Sequence, residues 1–200
     1  MNKLVFDTEA LDLNNRYVYN LGYVIMNEEG KILVERDFTI KQVYDNAIAM
    51  ATAYYSKKRP LYTSKMKGRT THKKYWGIAC QQMIRDIKNY QVKEAYAYNS
   101  SYDVGAFQLM VNTFKNINPL NKVKVVDIMD LLNILINTKE YYEYCKANNF
   151  ITEKGNLKKS AEVVYGYITN NPNYIEEHTA LEDSKIEATI LQVLLDLNEL

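Results

Sequence analysis

The N-terminal part of the chain constrains the fold most, because it predicts three strands that follow one another closely. Residues 3–6 form a short apolar run that predicts a buried strand, and residues 17–26 are rich in Tyr, Val and Ile. Turn-forming residues occupy positions 27–30, and residues 31–40 then resume the pattern of a strand. Strands joined by short connections pair in antiparallel order, so the chain is predicted to open with a three-strand meander.

The rest of the chain predicts helices that alternate with two short strands. These strands are predicted over residues 93–98 and 123–127. Apolar residues at helical spacing predict helices over residues 76–87, 104–114, 128–149 (with a break near 137–138), 157–167 and 186–197. We therefore predict an α/β fold whose mixed five-stranded sheet, an antiparallel meander plus two parallel strands, is flanked by helices.

Composition is typical of a globular protein. Of the 200 residues, 47% are hydrophobic and 24% are charged, and the net charge of +1 gives no overall attraction to nucleic acid or membrane. No apolar run approaches the roughly 20 residues of a membrane-spanning helix, so we expect no membrane partner. Asp7 argues against a signal peptide, and Cys80 and Cys145 lack metal-ligand spacing. We expect reduced thiols in a cytoplasmic protein.

A basic stretch without any Asp or Glu lies between residues 46 and 85. Within it, residues 63–71 predict a loop. Clustered cations of this kind contact phosphates in nucleic-acid-binding proteins; a solvated surface balanced by the acidic C-terminal third is the alternative. The basic cluster, around residues 50–75, contains Lys57, Lys58, Arg59, Lys65, Lys67, Arg69, Lys73 and Lys74.

Two acids, Asp7 and Glu9, stand two residues apart at the end of the first predicted strand. The period of two along a strand places both carboxylates on the same face. Carboxylates held so close repel each other unless a cation lies between them, and Mg²⁺ or Mn²⁺ takes such oxygen ligands. A pair of solvated acids at a strand end is the alternative.

A second acidic motif, Asn-Ser-Ser-Tyr-Asp at residues 99–103, follows a predicted strand and opens a predicted helix. Asp103 would lie in the first turns of that helix, near the edge of the sheet. Asn99 or Ser100 would be the helix cap. A plain capping arrangement is the alternative.

A third motif leads into the last predicted helix. His178 and Asp183 belong to a His-x-Ala-x-x-Asp sequence, for which a chain of this composition expects roughly 0.007 matches by chance. Asp183 would face inward from the helix as a further metal ligand, and His178 would lie at or just before the helix start. A surface cap and a solvated acid are the alternatives.

Together the three motifs resemble those of the DEDDh, or DnaQ-like, family of 3′→5′ exonucleases, which includes the proofreading epsilon subunit of bacterial DNA polymerase III. Residues 6–9, 99–103 and 178–183 are similar to exonuclease motifs I, II and III, the last in its histidine form. Residues 157–166 are similar to the helix that precedes motif III. The resemblance covers nearly the whole chain. It implies a single RNase H-like exonuclease domain over residues 1–200 with the basic cluster as an insertion.

The resemblance also implies a mechanism. Asp7, Glu9, Asp103 and Asp183 would hold two divalent metal ions, Mg²⁺ or Mn²⁺, and His178 would be the general base of a phosphodiester hydrolysis. The product would be a nucleoside 5′-monophosphate released from the 3′ end of single-stranded DNA. Divalent ions are expected to stabilise the fold, because four carboxylates without a metal repel. Substrate contacts are predicted for the basic cluster and for Thr8, Ala10, Asn99 and Tyr102.

The sequence leaves alternative functions open. The same residues would serve an exoribonuclease, because the chemistry is at the phosphate and only contact with the 2′ position separates RNA from DNA. A non-catalytic nucleic-acid-binding or polymerase-docking module on the same fold would have no need for the complete catalytic set. A separate polymerase is a candidate partner, and the oligomeric state is not indicated. Ala10, where many relatives have Thr, and the long basic cluster leave the substrate undefined.

Overall fold

A six-stranded sheet forms the centre of the protein, in the strand order β4-β3-β2-β1-β5-β6. The computed structural model describes residues 1–54 and 56–198. The strands are β1 (Lys3–Ala10), β2 (Val18–Met26), β3 (Ile32–Ile40), β4 (His72–Lys74), β5 (Glu94–Ala97) and β6 (Lys124–Asp127). The mixed α/β class predicted from the sequence is confirmed.

Strand pairing follows the predicted pattern in its main part. β1, β2 and β3 form the antiparallel meander, while β5 pairs parallel to β1 and β6 parallel to β5. The predicted number of five strands is wrong, because β4 adds a sixth that pairs parallel to β3. All three β4 residues are exposed and polar, so no apolar alternation marks this strand. It rests on backbone pairing at the sheet edge, where its charged side chains oppose further pairing.

Helices connect the strands and cover both faces of the sheet. They are α1 (Lys41–Tyr44), α2 (Ala47–Thr52), α3 (Arg59–Lys67), α4 (Trp76–Asn89), α5 (Ser100–Phe114), α6 (Ile128–Leu131), α7 (Asn133–Ile136), α8 (Lys139–Ala147), α9 (Ala161–Ile168) and α10 (Ala180–Asn198). Short 3₁₀ helices span Ser56–Lys58 and Pro119–Lys122. No helix among the described residues has both the length and the apolar character that a bilayer crossing requires.

Three predictions about where helices lie need correction. The predicted loop over residues 63–71 is wrong in its first half, which belongs to α3. The helical region 128–149 breaks near residue 137 as predicted, and it breaks a second time at Leu132. α9 begins at Ala161, because Leu157 is held in an extended bridge with Ile151.

Alternate residues of β1 pack into two hydrophobic clusters on opposite faces of the sheet. Phe6 packs with α4 and α5, and its ring lies 5.6 Å from that of Phe107, edge to face. Val5 lies in the cluster that contains α9 and α10. Because side chains alternate along a strand, Asp7 and Glu9 share the face of Val5, which α10 covers.

Gly22 permits α10 to approach the sheet closely. A Cβ atom at Gly22 would lie 2.1 Å from the carbonyl carbon of Ala180 and 2.1 Å from the nitrogen of Leu181. Gly22 is also the residue that pairs with Asp7 across β1 and β2. The first turn of α10, which carries the acidic motif, is therefore held directly beside Asp7.

Gly22→Ala should destabilise the protein strongly, because the methyl group has no space unless α10 moves. Overpacking of this kind costs about 1–3 kcal/mol, which lowers the Tm by roughly 5 °C in a protein of this size. Thermal unfolding monitored by circular dichroism measures the change. Gly68→Ala is the matched control, since its Cβ would lie no closer than 3.5 Å to any neighbouring atom. An equal Tm for the two variants would contradict the close approach.

Candidate active site

The five residues predicted as catalytic line one cavity of about 520 Å³. This volume lies within the range of roughly 300–1,000 Å³ that is typical of small-molecule sites. The cavity opens where β1 ends, between the first turns of α5 and α10. Residues that are far apart in the sequence, Asp7, Glu9, Asp103, His178 and Asp183, thus meet at one end of the sheet.

Asp7 and Glu9 face the cavity from the end of β1. They pair with Gly22 and Asn20 of β2, and both project toward α10 as the strand period predicts. Glu9 is 7% exposed, and its Oε2 accepts a hydrogen bond of 3.4 Å from the hydroxyl of Tyr19. A β-bulge follows Glu9 and ends the regular pairing.

Asp103 reaches the same cavity from the first turn of α5. Its Oδ1 accepts two hydrogen bonds from Thr8, one from the backbone nitrogen at 3.0 Å and one from Oγ1 at 2.6 Å. Thr8 therefore joins β1 to α5 and fixes Asp103 beside Asp7. Its predicted contact with substrate stays a prediction.

The start of α5 is capped differently from the sequence prediction. Asn99 occupies the cap position with a φ of 58°, but neither its side chain nor that of Ser100 caps the helix. Asp127, the last residue of β6, accepts from the backbone nitrogens of Asn99 at 3.0 Å and Ser100 at 2.9 Å. A carboxylate at a helix N-terminus also interacts favourably with the helix dipole. Parallel pairing of β5 and β6 is what brings Asp127 to this point.

His178 and Asp183 complete the cavity from the start of α10. His178 lies just before the helix, as predicted, in the left-handed conformation with a φ of 52°. Glu9, His178 and Asp183 each offer one ligand atom, and these atoms lie within 4.8 Å of one another. Oδ1 of Asp183 is buried without a hydrogen-bond partner among the described residues. A cation would satisfy this oxygen, and the carboxylates of Glu9 and Asp183 are the oxygen ligands that a hard divalent ion takes, which leaves the His178 ring available for another role.

Burial makes the charged forms of these acids costly. It raises the pKa of Asp103 and that of Asp183 to about 7. The pKa values of Asp7 and Glu9 lie well above their usual range, through burial first and then through repulsion by the neighbouring carboxylates. Clustered buried carboxylates of this kind are stabilised when cations bind among them.

Two acids of the cavity, Glu176 and Glu187, were not predicted from the sequence. Glu187 had a detectable signal, since it follows Asp183 by four residues and therefore lies on the same helix face. Glu176 lies in the loop before α10, where no periodicity applies. Its Oε2 lies 3.6 Å from Nδ1 of His178. Burial, followed by repulsion from Glu162, raises the pKa of Glu176 to about 7.

The His178 ring is poised to be neutral at physiological pH. Partial burial lowers its pKa, and the positive charge of Lys58 lowers it further. A neutral imidazole has one ring nitrogen available to accept a proton.

Two lysines of the basic cluster bind the loop that carries His178. The Nζ of Lys58 donates to the carbonyl of Glu177. The Nζ of Lys65 lies 3.1 Å from Oε1 of Glu177 and donates to Oγ1 of Thr179 at 3.0 Å. These contacts on both sides of His178 connect the basic cluster to the cavity.

No member of the basic cluster lines the cavity itself. Lys73 pairs with Asp45, and the guanidinium carbon of Arg59 lies 5.9 Å from the ring centre of Tyr44. The remaining members are exposed on the surface, so their predicted contact with substrate stays a prediction; they are Lys57, Lys67, Arg69 and Lys74.

Some of the other residues predicted to contact substrate line the cavity and others do not. Tyr102 and Asn99 line the cavity. The hydroxyl of Tyr102 donates to the carbonyl of Asp12 at 3.1 Å, and the guanidinium of Arg16 lies 4.8 Å from the ring centre. Ala10 is buried and is not among the residues that line the cavity, and its predicted contact with substrate stays a prediction.

The fold is shared with solved exonucleases, although the sequence matches no protein-family model and no curated protein. Exonuclease I from E. coli, in complex with a dA16 oligonucleotide, aligns with a TM-score of 0.61 at 12% identity. The moderately thermophilic Exonuclease I from Methylocaldum szegediense also aligns with a TM-score of 0.61 at 12% identity. Both comparisons cover 98% of this chain, which spans only 41% and 40% of the two enzymes. The specific likeness to the epsilon subunit stays a prediction.

Without divalent cations, the stability of the protein should fall as the pH rises from about 5 to about 8. The folded-state pKa values of Asp103 and Asp183, about 7, exceed the usual 3.8. The native state therefore binds more protons than the unfolded state in this window, and it loses that advantage as both acids ionise. Thermal unfolding in EDTA at several pH values measures the effect.

Two controls accompany this pH series. Adding Mn²⁺ should raise the Tm most at the alkaline end, because bound cations favour the ionised carboxylates. Asp103→Asn should flatten the dependence in EDTA, since it removes one of the titrating groups. A Tm that rises with pH in EDTA would contradict the electrostatics of the cavity.

Proposed function

We propose that this protein is a metal-dependent 3′→5′ exonuclease that releases nucleoside 5′-monophosphates from single-stranded DNA. The observation that carries the proposal is the meeting of Asp7, Glu9, Asp103, His178 and Asp183 at one cavity. A fold shared with Exonuclease I supports it, because one of those structures holds a dA16 oligonucleotide. In this proposal residues 1–200 form one exonuclease domain, and the basic cluster around residues 50–75 is an insertion in it.

Each residue of the cavity has a role in the proposed reaction. Asp7, Glu9, Asp103 and Asp183 would hold two divalent ions, Mg²⁺ or Mn²⁺. Such ions, when bound, make water nucleophilic at neutral pH and neutralise charge on a leaving oxygen. Thr8 holds Asp103 in place through its two hydrogen bonds.

His178 is the proposed general base. Its Nδ1 faces Glu176, which favours the tautomer with the proton on Nδ1 and leaves Nε2 to take the proton of the attacking water. The lowered pKa of His178 keeps the imidazole neutral, the form that a base requires. Lys58 and Lys65 would steady the loop that carries it.

A ladder assay tests the activity directly. Single-stranded DNA and RNA of matched sequence, labelled at the 5′ end, are incubated with Mg²⁺, Mn²⁺ or EDTA and separated on a denaturing gel. We expect DNA to shorten stepwise from the 3′ end, with no shortening in EDTA or with Asp7→Asn. His178→Gln should lower the rate by about 10²–10⁴-fold, the usual contribution of a general base.

The same gel distinguishes the alternatives. A ladder on RNA and not on DNA would replace the proposed substrate with RNA 3′ ends. Retained binding of both strands without any ladder would contradict the catalytic proposal and favour a binding or polymerase-docking module. Unfolding curves of Asp7→Asn and the wild type show whether the variant is folded.

Lys65→Met and Lys67→Met should separate loop positioning from phosphate attraction. Lys65 contacts Glu177 and Thr179, the residues before and after His178 in the chain. Its loss should therefore lower kcat by about tenfold or more, because small misplacements of catalytic groups are costly. Lys67 is exposed, so its loss should leave kcat unchanged and raise KM. If it contacts a phosphate, the salt dependence of binding should weaken by about 0.7 in log–log slope. Steady-state kinetics at several salt concentrations measure both effects. The same changes in kcat and KM for the two variants would contradict the different roles proposed for Lys65 and Lys67.

A further inference from the structure

α10 brings a second carboxylate to the cavity besides that of Asp183. Glu187 follows Asp183 by one helical turn, so both side chains project from the same face of the helix. Glu187 lines the cavity, yet only 4% of the residue is exposed. It is therefore a nearly buried acid on the wall of the cavity.

The contacts of Glu187 leave its charge unbalanced. Its Oε2 accepts a hydrogen bond of 3.2 Å from the backbone nitrogen of Tyr98, at the end of β5. Glu187 makes no other hydrogen bond and no ion pair with the residues that the structure describes. Burying a carboxylate without a cation is strongly unfavourable. If the hydrogen bond to Tyr98 were the only role of this residue, an uncharged Gln would fill it at a lower cost in stability.

The strongest charge effects of other side chains on Glu187 come from acids. Asp103 and Asp183 repel its carboxylate, and Glu187 in turn repels that of Asp7. Lys58 lowers the pKa values of Glu9 and Asp183 and so offsets part of the repulsion at those two acids. Glu187 thus adds a carboxylate to a cavity wall where the neighbouring acids already repel one another, and a cation bound inside the cavity would compensate that charge.

We propose that Glu187 is a fifth carboxylate of the divalent-cation site, and that its charge strengthens the binding of cations there. The inference rests on the proposed function, since it assigns a residue to the same site. It also gives Glu187 a second task, which is to hold the backbone of Tyr98 at the cavity edge. The two tasks differ in what they require, because cation binding needs the charge and the hydrogen bond to Tyr98 needs only an acceptor oxygen.

Two substitutions in the full chain separate these tasks. Glu187→Gln keeps the length and an acceptor oxygen but removes the charge, whereas Glu187→Asp keeps the charge and shortens the side chain. Mn²⁺ binding is measured by isothermal titration calorimetry on protein freed of metal with EDTA. We expect Glu187→Gln to raise the Kd for Mn²⁺ by about tenfold or more, and Glu187→Asp to raise it less. In EDTA the Tm of Glu187→Gln should exceed that of the wild type, because a buried repulsive charge has been removed.

Glu182→Gln is the matched control. Glu182 lies on the same helix, but its side chain is 39% exposed and pairs with Lys185. Its substitution should leave the Kd for Mn²⁺ within about twofold of the wild type, because an exposed, screened charge contributes little.

The outcomes distinguish this inference from the proposed function. If Glu187→Gln binds Mn²⁺ as the wild type does, or if Glu187→Asp is the weaker binder, Glu187 acts only as a structural acceptor and the inference fails. If the wild type itself binds no Mn²⁺, the proposed function fails as well. Unfolding by circular dichroism identifies a variant that is not folded, and the other substitution then decides.

Discussion

The close approach of α10 to β2 determines where the site forms. Gly22 leaves space for the backbone of Ala180, and Asn20, two residues away on the same face of β2, accepts a hydrogen bond of 2.9 Å from the nitrogen of Ala180. The same Asn20 oxygen accepts from the hydroxyl of Tyr62 in α3 at 3.1 Å. One buried amide thus fixes the helix that carries the third acidic motif and the helix that carries part of the basic cluster. Because β1 lies beside β2, Asp7 and Glu9 meet that helix directly.

The central part of this arrangement could be predicted from the sequence because it depends on strict periods. The alternation along β1 puts Asp7 and Glu9 on one face, and the order of the strands follows from short connections. The spacing of His178 and Asp183 places them at a helix start, as the structure has them. None of these predictions requires knowledge of which long-range contacts form, and that is why the structure agrees with them.

Other features depend on long-range contacts and have no local signal. β4 consists of exposed polar residues and exists through its pairing with β3. The cap of α5 comes from Asp127 because β6 ends beside β5, and nothing near Asn99 indicates it. The basic cluster could be found as a charge pattern, but not the fact that Lys65 turns toward Glu177 and Thr179 while Lys67 stays exposed. Glu187 lies between these cases, since the helical period marks its face but not its burial.

The buried acids of the cavity lower the stability of the metal-free protein. Acids such as Asp103 and Asp183 are placed where burial raises their pKa to about 7, so the metal-free protein carries unfavourable charge at neutral pH. A divalent cation bound among these acids would relieve this repulsion as well as form new contacts. Uncharged residues at these positions would avoid the cost of burying charge, but they would offer no carboxylate to a cation. The close packing of α10 at Gly22 and its hydrogen bond to Asn20 hold the repelling carboxylates together, so the fold itself maintains the concentration of negative charge in the cavity.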